Sequence, residues 1–255
     1  MQTTSPLVWQ YRNNMLYQYI KAKPKRPIRR PLIVSFVLMS VGTGILLWVL
    51  WPIVSFTIFS APLFGVTVSP MISTGEVTQA KSVLPQAMAA TGPDTIGVDY
   101  TNANVWYPTK PQKKVVTQVN SYTLSIPKLN IEHALVLIAG EDLIKSLIHY
   151  GGTGLPGEYG NAVIFGHSVL PQFFDPTNYK TIFSTLPTLS IGDDIFITYD
   201  GITYKYKVFD MIVRDPNDLA ALEQQYDDSY ITLVTCVPPG TYWKRLNVKA
   251  KLVRI

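Results

Sequence analysis

Three residues in this chain combine side-chain type and position in a way that could support nucleophilic chemistry. Cys236, the single cysteine of the 255 residues, closes the run ITLVTC and is followed at once by Val237-Pro238-Pro239-Gly240. Pro-Pro-Gly does not continue a central strand, so the thiol stands at a strand end opening onto a loop. A thiol nucleophile needs a proton acceptor and a cation that favours its anionic form. His167 closes a second apolar run, NAVIFGHS, with Gly166 freeing the backbone to turn before it. Arg245, in WKRLNV, begins a final alternating segment nine residues after the thiol. Taken singly, each has a structural alternative: a small buried hydrophobe, a satisfied core histidine, a solvated strand arginine. His133, within an alternating strand, and His149, read as the end of a short helix, are weaker candidates.

Positioning such a trio requires strand ends that converge, and from Asn120 onward the sequence has strand periodicity. Tyr122, Leu124 and Ile126 alternate with Ser121, Thr123 and Ser125. Ile131 to Ile138, Ala162 to Phe165, Ile195 to Tyr199 and Ile231 to Thr235 are short β-prone runs. Leu246, Val248, Ala250 and Leu252 alternate with polar residues. Asp200-Gly201 is a hairpin-turn signal between Tyr199 and the Tyr/Val-rich TYKYKVF. Helical periodicity is confined to Glu141 to His149 and Asn217 to Tyr226. Seven or eight short strands in one segment predict a mainly β barrel or sandwich with a few short helices.

The N-terminal half has a different character. Residues 1–31 carry seven basic side chains (Arg12, Lys21, Lys23, Lys25, Arg26, Arg29, Arg30) and no acid. Setting these aside from the 22 Lys and Arg leaves 15 against 17 Asp and Glu, so the net charge of +5 belongs to this tail. That distribution argues against a nucleic-acid-binding domain. Leu32 to Trp51 reads LIVSFVLMSVGTGILLWVLW, and no charged residue occurs between Arg30 and Glu76. Twenty helical residues at about 1.5 Å each match a hydrocarbon core of about 30 Å, so the stretch is read as a retained membrane anchor. It is too long for a signal-peptide core and lacks a clear cleavage site. The basic cluster before it predicts a cytoplasmic N-terminus and an outward C-terminal part, with Trp48 and Trp51 in the outer aromatic belt and Pro52 ending or kinking the helix. Residues 53–118 form an apolar juxtamembrane segment followed by a Ser/Thr/Pro-rich spacer. Val105, Trp106 and Tyr107 are apolar enough for the late linker to pack on the following domain, 119–255.

Six segments in order resemble the sortase family of membrane-anchored cysteine transpeptidases. They are IPKLNI (126–131), LPGEYGN (155–161), GHS (166–168), IGDDI (191–195), TLVTC (232–236) and KRLNV (244–248). The resemblance implies an eight-stranded β-barrel behind one transmembrane helix, with Cys236 as nucleophile, His167 as general acid and base, and Arg245 as the cation at the substrate carbonyl. It also suggests a substrate contact for Thr235. The implied reaction is cleavage of an LPxTG-like C-terminal sorting signal of a secreted protein after Thr, through a thioester, and transfer to an amine of a cell-wall precursor or a pilin lysine. No metal or other cofactor is implied, although some family members bind Ca²⁺ and Asp193, Asp194, Asp227 and Asp228 are available. Pilin-type members often carry a DPG- or DPW-like lid; no such tripeptide precedes the barrel here, which leans toward an anchoring role. A cysteine hydrolase of the same peptides and a membrane-tethered β-domain without catalysis are the alternatives.

Overall fold

The computed structural model describes residues 30–60, 99–114 and 119–253. The basic tail up to residue 29 and the spacer 61–98 lie outside the described residues. The chain divides into two compact units, Met1–Gly44 and Ile45–Ile255.

The apolar segment is a helix, α1 (Arg30–Ser55), continued by a π turn over Phe56–Ser60. Of the two outcomes expected at Pro52, an end or a kink, the helix does not take the first, and it runs on through the proline. A proline within a helix forfeits one hydrogen bond, to the carbonyl four residues back, and the turn that follows is held by Ser55 Oγ donating to the Pro52 carbonyl (3.1 Å). The span long and apolar enough to cross a membrane is Leu32–Ile58, 27 residues.

The second unit is built on eight strands: β1 (Ser121–Ile126), β2 (Ile131–Ile138), β3 (Leu147–His149), β4 (Gly160–Phe165), β5 (Asp194–Tyr199), β6 (Ile202–Arg214), β7 (Ser229–Val237) and β8 (Lys244–Leu252). They close into a barrel in the order β1-β2-β3-β4-β7-β8-β6-β5, which leaves no free sheet edge. Alternating side chains of β1, β5 and β8 enter the barrel core, as the period-two pattern required: Leu124, Ile126, Ile195, Ile197, Leu246, Val248 and Ala250 are all buried there. The predicted hairpin at Asp200-Gly201 forms, with both residues at positive φ (49° and 74°) between the paired Tyr199 and Ile202.

Besides the three-residue β3, the strands β4 and β7 are buried on both faces. In β4, Ala162 and Ile164 point into the barrel while Val163 and Phe165 join a second apolar cluster outside it. In β7, Ile231, Leu233 and Val237 point inward while Val234 and Cys236 point to that same outer cluster. These strands therefore read as continuous apolar runs rather than alternating ones. β4 and β7 are parallel, with Phe165 opposite Val234, so both chains leave the barrel at the same end.

The two helices expected from periodicity do not form. Leu147–His149 is a strand, paired in parallel with β2 (Val136 with Leu147, Ile138 with His149), and Asn217 to Tyr226 contributes only a 3-10 turn, Leu219–Leu222. A nine-residue helix is marginal in water, whereas strand pairing here buries Leu147, Ile148 and His149 completely between neighbours. His149 consequently ends a strand. Its Nδ1 meets the Tyr122 hydroxyl (2.8 Å) and its Nε2 the Thr153 hydroxyl (3.1 Å), and burial lowers its pKa to about 4. His133, with φ of 49°, lies on β2 with its backbone N–H donating to Ser125 Oγ (2.8 Å).

Residues 99–114, read from sequence as late linker, are instead part of the folded unit. They form a strap across the outer cluster, burying Ala103, Trp106 and Tyr107. The strap is fastened at both ends by backbone pairing. Ala103 N–H donates to the Glu141 carbonyl (2.8 Å), Leu143 N–H to Thr101 (2.9 Å), and Lys113 N–H to Gly151 (3.0 Å). Gln112 adds a side-chain clasp: its Nε2 donates to the Gly140 carbonyl (2.9 Å) and its Oε1 accepts from Gly151 N–H (2.9 Å). Packing supplies the reason. Val163, Phe165 and Val234 form an apolar outer face that water would otherwise cover, and the aromatic residues of the strap remove it from solvent.

Candidate active site

The parallel β4/β7 pair and the antiparallel β7/β8 pair bring the three sequence candidates to one end of the barrel. Cys236 and Arg245 are direct cross-strand partners, and Arg245 Nη1 lies 3.4 Å from Cys236 Sγ. His167 is two residues beyond the end of β4, and that end is tied to β7 by three hydrogen bonds. Gly166 N–H donates to the Val234 carbonyl (3.2 Å), Thr235 Oγ1 to the Gly166 carbonyl (2.8 Å), and Ser168 Oγ to the Cys236 carbonyl (2.7 Å). Gly166 is required by space: a Cβ there would stand 2.4 Å from Phe183 Cδ2 and 2.7 Å from Leu147 Cδ2. The glycine thus lets the chain turn toward β7 over a filled core.

Thr235 is fully buried and its hydroxyl is committed to Gly166, not turned toward the cleft. Its neighbour Cys236 faces the outer cluster, and strand alternation sends the two side chains to opposite faces. Thr235 therefore positions the histidine-bearing turn against the cysteine-bearing strand.

Trp106 of the strap is the common neighbour of the site. Its ring is stacked on Phe165 (5.3 Å between centroids), lies 6.0 Å from the His167 ring, and has the Arg245 guanidinium carbon 4.8 Å from its centroid. The indole is held by its Nε1–H, which donates to the Tyr100 carbonyl (3.0 Å), while the Tyr100 ring stacks on Tyr242 at 4.2 Å. The strap is the functional element that sequence reasoning resolved least. Its signal was the cluster Val105-Trp106-Tyr107 in an otherwise polar, proline-rich stretch.

With the strap in place the site is nearly dry. Cys236 and Arg245 are each 1% exposed and His167 is 8% exposed. Burial pushes the Cys236 thiol up to about 11, with the Arg245 charge opposing that rise, and brings His167 down to about 4, with Asp99 and Asp142 opposing. Both groups are thus held neutral: thiol and imidazole rather than thiolate and imidazolium. His167 Nε2 is buried without a hydrogen-bond partner. Arg245 is in no carboxylate ion pair among the described residues; its Nη1 reaches the thiol, the Tyr242 carbonyl (3.3 Å) and the Lys244 carbonyl (3.4 Å). A buried guanidinium facing a thiol and an aromatic ring, with no anion beside it, is electrostatically suited to accept one.

The acidic loop residues considered for Ca²⁺ are engaged with cations and hydroxyls. Asp193 pairs with Lys128 (2.8 Å), Asp194 with Lys205 (2.8 Å) and Asp228 with Lys251 (3.0 Å), and Asp227 accepts from the Tyr230 hydroxyl (2.9 Å). Among the described residues no group of three or more His, Cys, Asp or Glu side chains is arranged to hold a metal ion.

A closed eight-stranded barrel with a cysteine, a histidine and an arginine gathered at one end defines a class, and comparison with known proteins gives that class its name. The family model for the Sortase domain matches residues 124–253. The chain belongs to the sortase family, whose members need no cofactor. Sortase D of Bacillus subtilis (strain 168) is 27% identical over 132 residues, covering 51% of this chain; the chain spans 60% of that relative's length. Among solved structures, a Clostridium perfringens Sortase D5 transpeptidase is 28% identical with a TM-score of 0.46, covering 55% of this chain and 83% of the other. Sortase A from Corynebacterium diphtheriae is 32% identical with a TM-score of 0.47, covering 55% and 63%.

Proposed function

We propose that this protein is a membrane-anchored cysteine transpeptidase that cuts an LPxTG-like sorting signal of secreted proteins between Thr and Gly and passes the acyl group to an amine. The observation that carries the proposal is the 3.4 Å approach of the Arg245 guanidinium to the Cys236 sulfur, beside a histidine that shares the same indole neighbour. Cys236 Sγ, as thiolate, attacks the Thr carbonyl carbon. The carbonyl oxygen gains negative charge, which Arg245, a fixed cation with a planar fork of donors, is suited to stabilise. The C–N bond to Gly then breaks, His167 as imidazolium gives its proton to the departing amine, and a thioester remains on Cys236. In the second half the acceptor amine attacks the thioester, returns its proton to His167 and releases the thiolate. The acceptor is a cell-wall precursor amine or a pilin lysine.

The strap-covered form is the resting state in this reading, because a peptide carbonyl must reach a sulfur that is now 1% exposed. Displacing the strap admits the peptide and also rehydrates the site, which lowers the thiol pKa and raises that of the imidazole. Lack of a DPG- or DPW-like tripeptide does not by itself separate anchoring from pilin assembly. A strap that covers the cleft with Trp106 and Tyr107 does the steric work of such a lid, and either acceptor is compatible with it.

The helix α1 is the anchor in this reading, with the N-terminus cytoplasmic and the barrel outside the cell, on the strength of the basic cluster that precedes it. The test is incubation of the full chain in detergent with sorting-signal peptides and a panel of amines, followed by mass spectrometry. A peptide thioester on Cys236 and an amide product are expected, and neither should form in Cys236→Ala. Product formation by that variant removes the thiol from the mechanism. Free acid as the sole product, at saturating amine, assigns a hydrolase instead.

A further inference from the structure

Within the unit Ile45–Ile255, the last turns of α1 rest on the barrel. Val49, Pro52, Ile53 and Phe56, spaced i, i+3, i+4 and i+7, are the partly or fully covered positions of this stretch, together with Ser55. Phe56 is 6% exposed and joins the barrel's own core cluster. Around it, Pro52, Ser55 and Phe56 line a cavity with Pro171, Ser184, Thr185 and Pro239. Trp48 meets Phe173 edge to face at 6.4 Å.

On the barrel side, the loop Val169–Phe174, which directly follows His167 and Ser168, supplies Pro171 and Phe173 to this contact. It is fixed from below, where Val169 N–H donates to Ser184 Oγ (2.8 Å) and Phe173 N–H to the Leu170 carbonyl (2.9 Å). From the side, the turn at Gly240 lies against Leu170, so close that a Cβ on Gly240 would meet its side chain at 3.1 Å. Yet Phe173, held next to Trp48, remains 56% exposed, an aromatic ring turned outward from a hydrogen-bonded loop.

Depth supplies the occupant. The apolar span Leu32–Ile58 is 27 residues, so at about 1.5 Å per residue it is about 40 Å long against a hydrocarbon core of about 30 Å. The basic cluster ending at Arg30 pins the start of the span at one interface. The surplus of about 7 residues then falls at the other end, from about Pro52 onward, which is the stretch that carries the barrel. Trp48, one turn earlier, lies at the depth favoured by interfacial aromatics, and Phe173 touches it.

We propose that the loop Val169–Phe174 is a second membrane contact, inserting Phe173 and Leu170 at the headgroup–acyl boundary of a phospholipid bilayer and seating the barrel on the lipid surface. This rests on α1 spanning the membrane. The consequence is that the His167 side of the cleft is held at the bilayer surface, so that the mouth of the site opens beside the membrane and not at the end of a long tether.

The test uses the full chain carrying Cys236→Ala, reconstituted in vesicles of phosphatidylcholine and phosphatidylglycerol. A single environment-sensitive fluorophore is attached at Thr43→Cys, Leu170→Cys, Phe173→Cys or Ile202→Cys. Ile202, exposed beside the Asp200-Gly201 hairpin turn, is the control for a surface in water. Doxyl-labelled lipid should remove about half or more of the emission at 43, 170 and 173, and about a tenth or less at 202, given insertion to about 5–10 Å. Two loop positions are probed so that loss of the Phe173 ring alone does not decide the outcome. Quenching at 43 with none above the level of 202 at both 170 and 173 overturns the proposal while leaving the anchor intact. Absence of quenching at 43 overturns the anchor reading and this proposal with it. Protection of 170 and 173 from aqueous iodide without lipid quenching assigns the loop to a protein partner and also overturns it.

Discussion

Replacing Trp106 by alanine should convert Cys236 from a silent thiol into a reactive one, and the size of the change follows from burial. With the strap in place the thiol pKa is about 11, so at pH 7 about one chain in 10⁴ carries the thiolate. Removing the indole takes away the ring that lies against Phe165, His167 and Arg245 and lets water reach the sulfur. A thiol returned to its ordinary value near 9 is ionised in about one chain in 10², a gain of about 100-fold. The more acidic thiolate is intrinsically less nucleophilic, by a factor of about 8 over two units at a Brønsted slope of about 0.4–0.5, so the net gain is about tenfold before any gain in access. The assay is thiopyridone release from dithiodipyridine. A single cysteine per chain makes one equivalent the full reaction, and rates across pH give the apparent pKa directly. Truncating a buried tryptophan costs about 3–5 kcal/mol, which local opening of the strap can absorb while the barrel stays paired. Circular dichroism and the main unfolding transition check that. A rate within twofold of the parent chain, in a variant whose barrel is intact, refutes the claim that the strap controls the thiol. An accelerated rate with an unchanged apparent pKa refutes the electrostatic part and leaves only access.

Gln112→Ala removes the clasp to Gly140 and Gly151 and should raise the same thiol reactivity severalfold, with little change in the barrel's unfolding midpoint measured by denaturant titration. Arg245→Lys keeps the charge but loses the planar fork, and turnover of a sorting peptide should fall by about 10²–10³, measured by chromatography of the product; a near-normal rate removes Arg245 from the oxyanion role. Gly166→Ala places a methyl carbon 2.4 Å from Phe183 and should destabilise the chain by about 1–3 kcal/mol in chemical denaturation. His149 and His167 both have folded pKa values of about 4, below the ordinary 6.5, so between these values the unfolded chain binds protons that the folded one does not. Stability from this source is intact above pH 6.5 and is lost as pH falls toward 4, by about 3 kcal/mol for the fully buried His149. Denaturation midpoints measured from pH 7 to pH 4 should fall, and His149→Gln should make the fall shallower; an unchanged slope shows that this imidazole does not titrate as assigned.

The barrel was legible because several of its strands, such as β1 and β5, bury one face and leave the other partly open to water, and a two-residue period survives in sequence. The Asp200-Gly201 hairpin was legible because its turn demands positive φ at both residues and few residue types supply it. The stretch Leu147–His149 was misread as helix because its apolar spacing fits either period, and only pairing with β2 decides between them. The extent of α1 past Pro52 was left open by the sequence for a related reason: the cost of one lost hydrogen bond is local, while the contacts of Phe56 that reward continuing are not.

Sequence alone determined which groups could react, since one thiol, one histidine after a glycine at a strand end and one arginine nine residues downstream of the thiol are facts of the chain. It also marked out a helix long and apolar enough to cross a membrane, because that compatibility depends on length and apolar content in one continuous segment. Tertiary structure decided what those groups are poised to do. The approach of Arg245 to Cys236 is set by strand register, the facing of Thr235 by alternation, and the neutral state of Cys236 and His167 by a strap whose anchoring partners lie 28 to 42 residues away. Register and burial are properties of pairs of segments, and ionisation follows burial, so neither is written in the local sequence of the residues it governs.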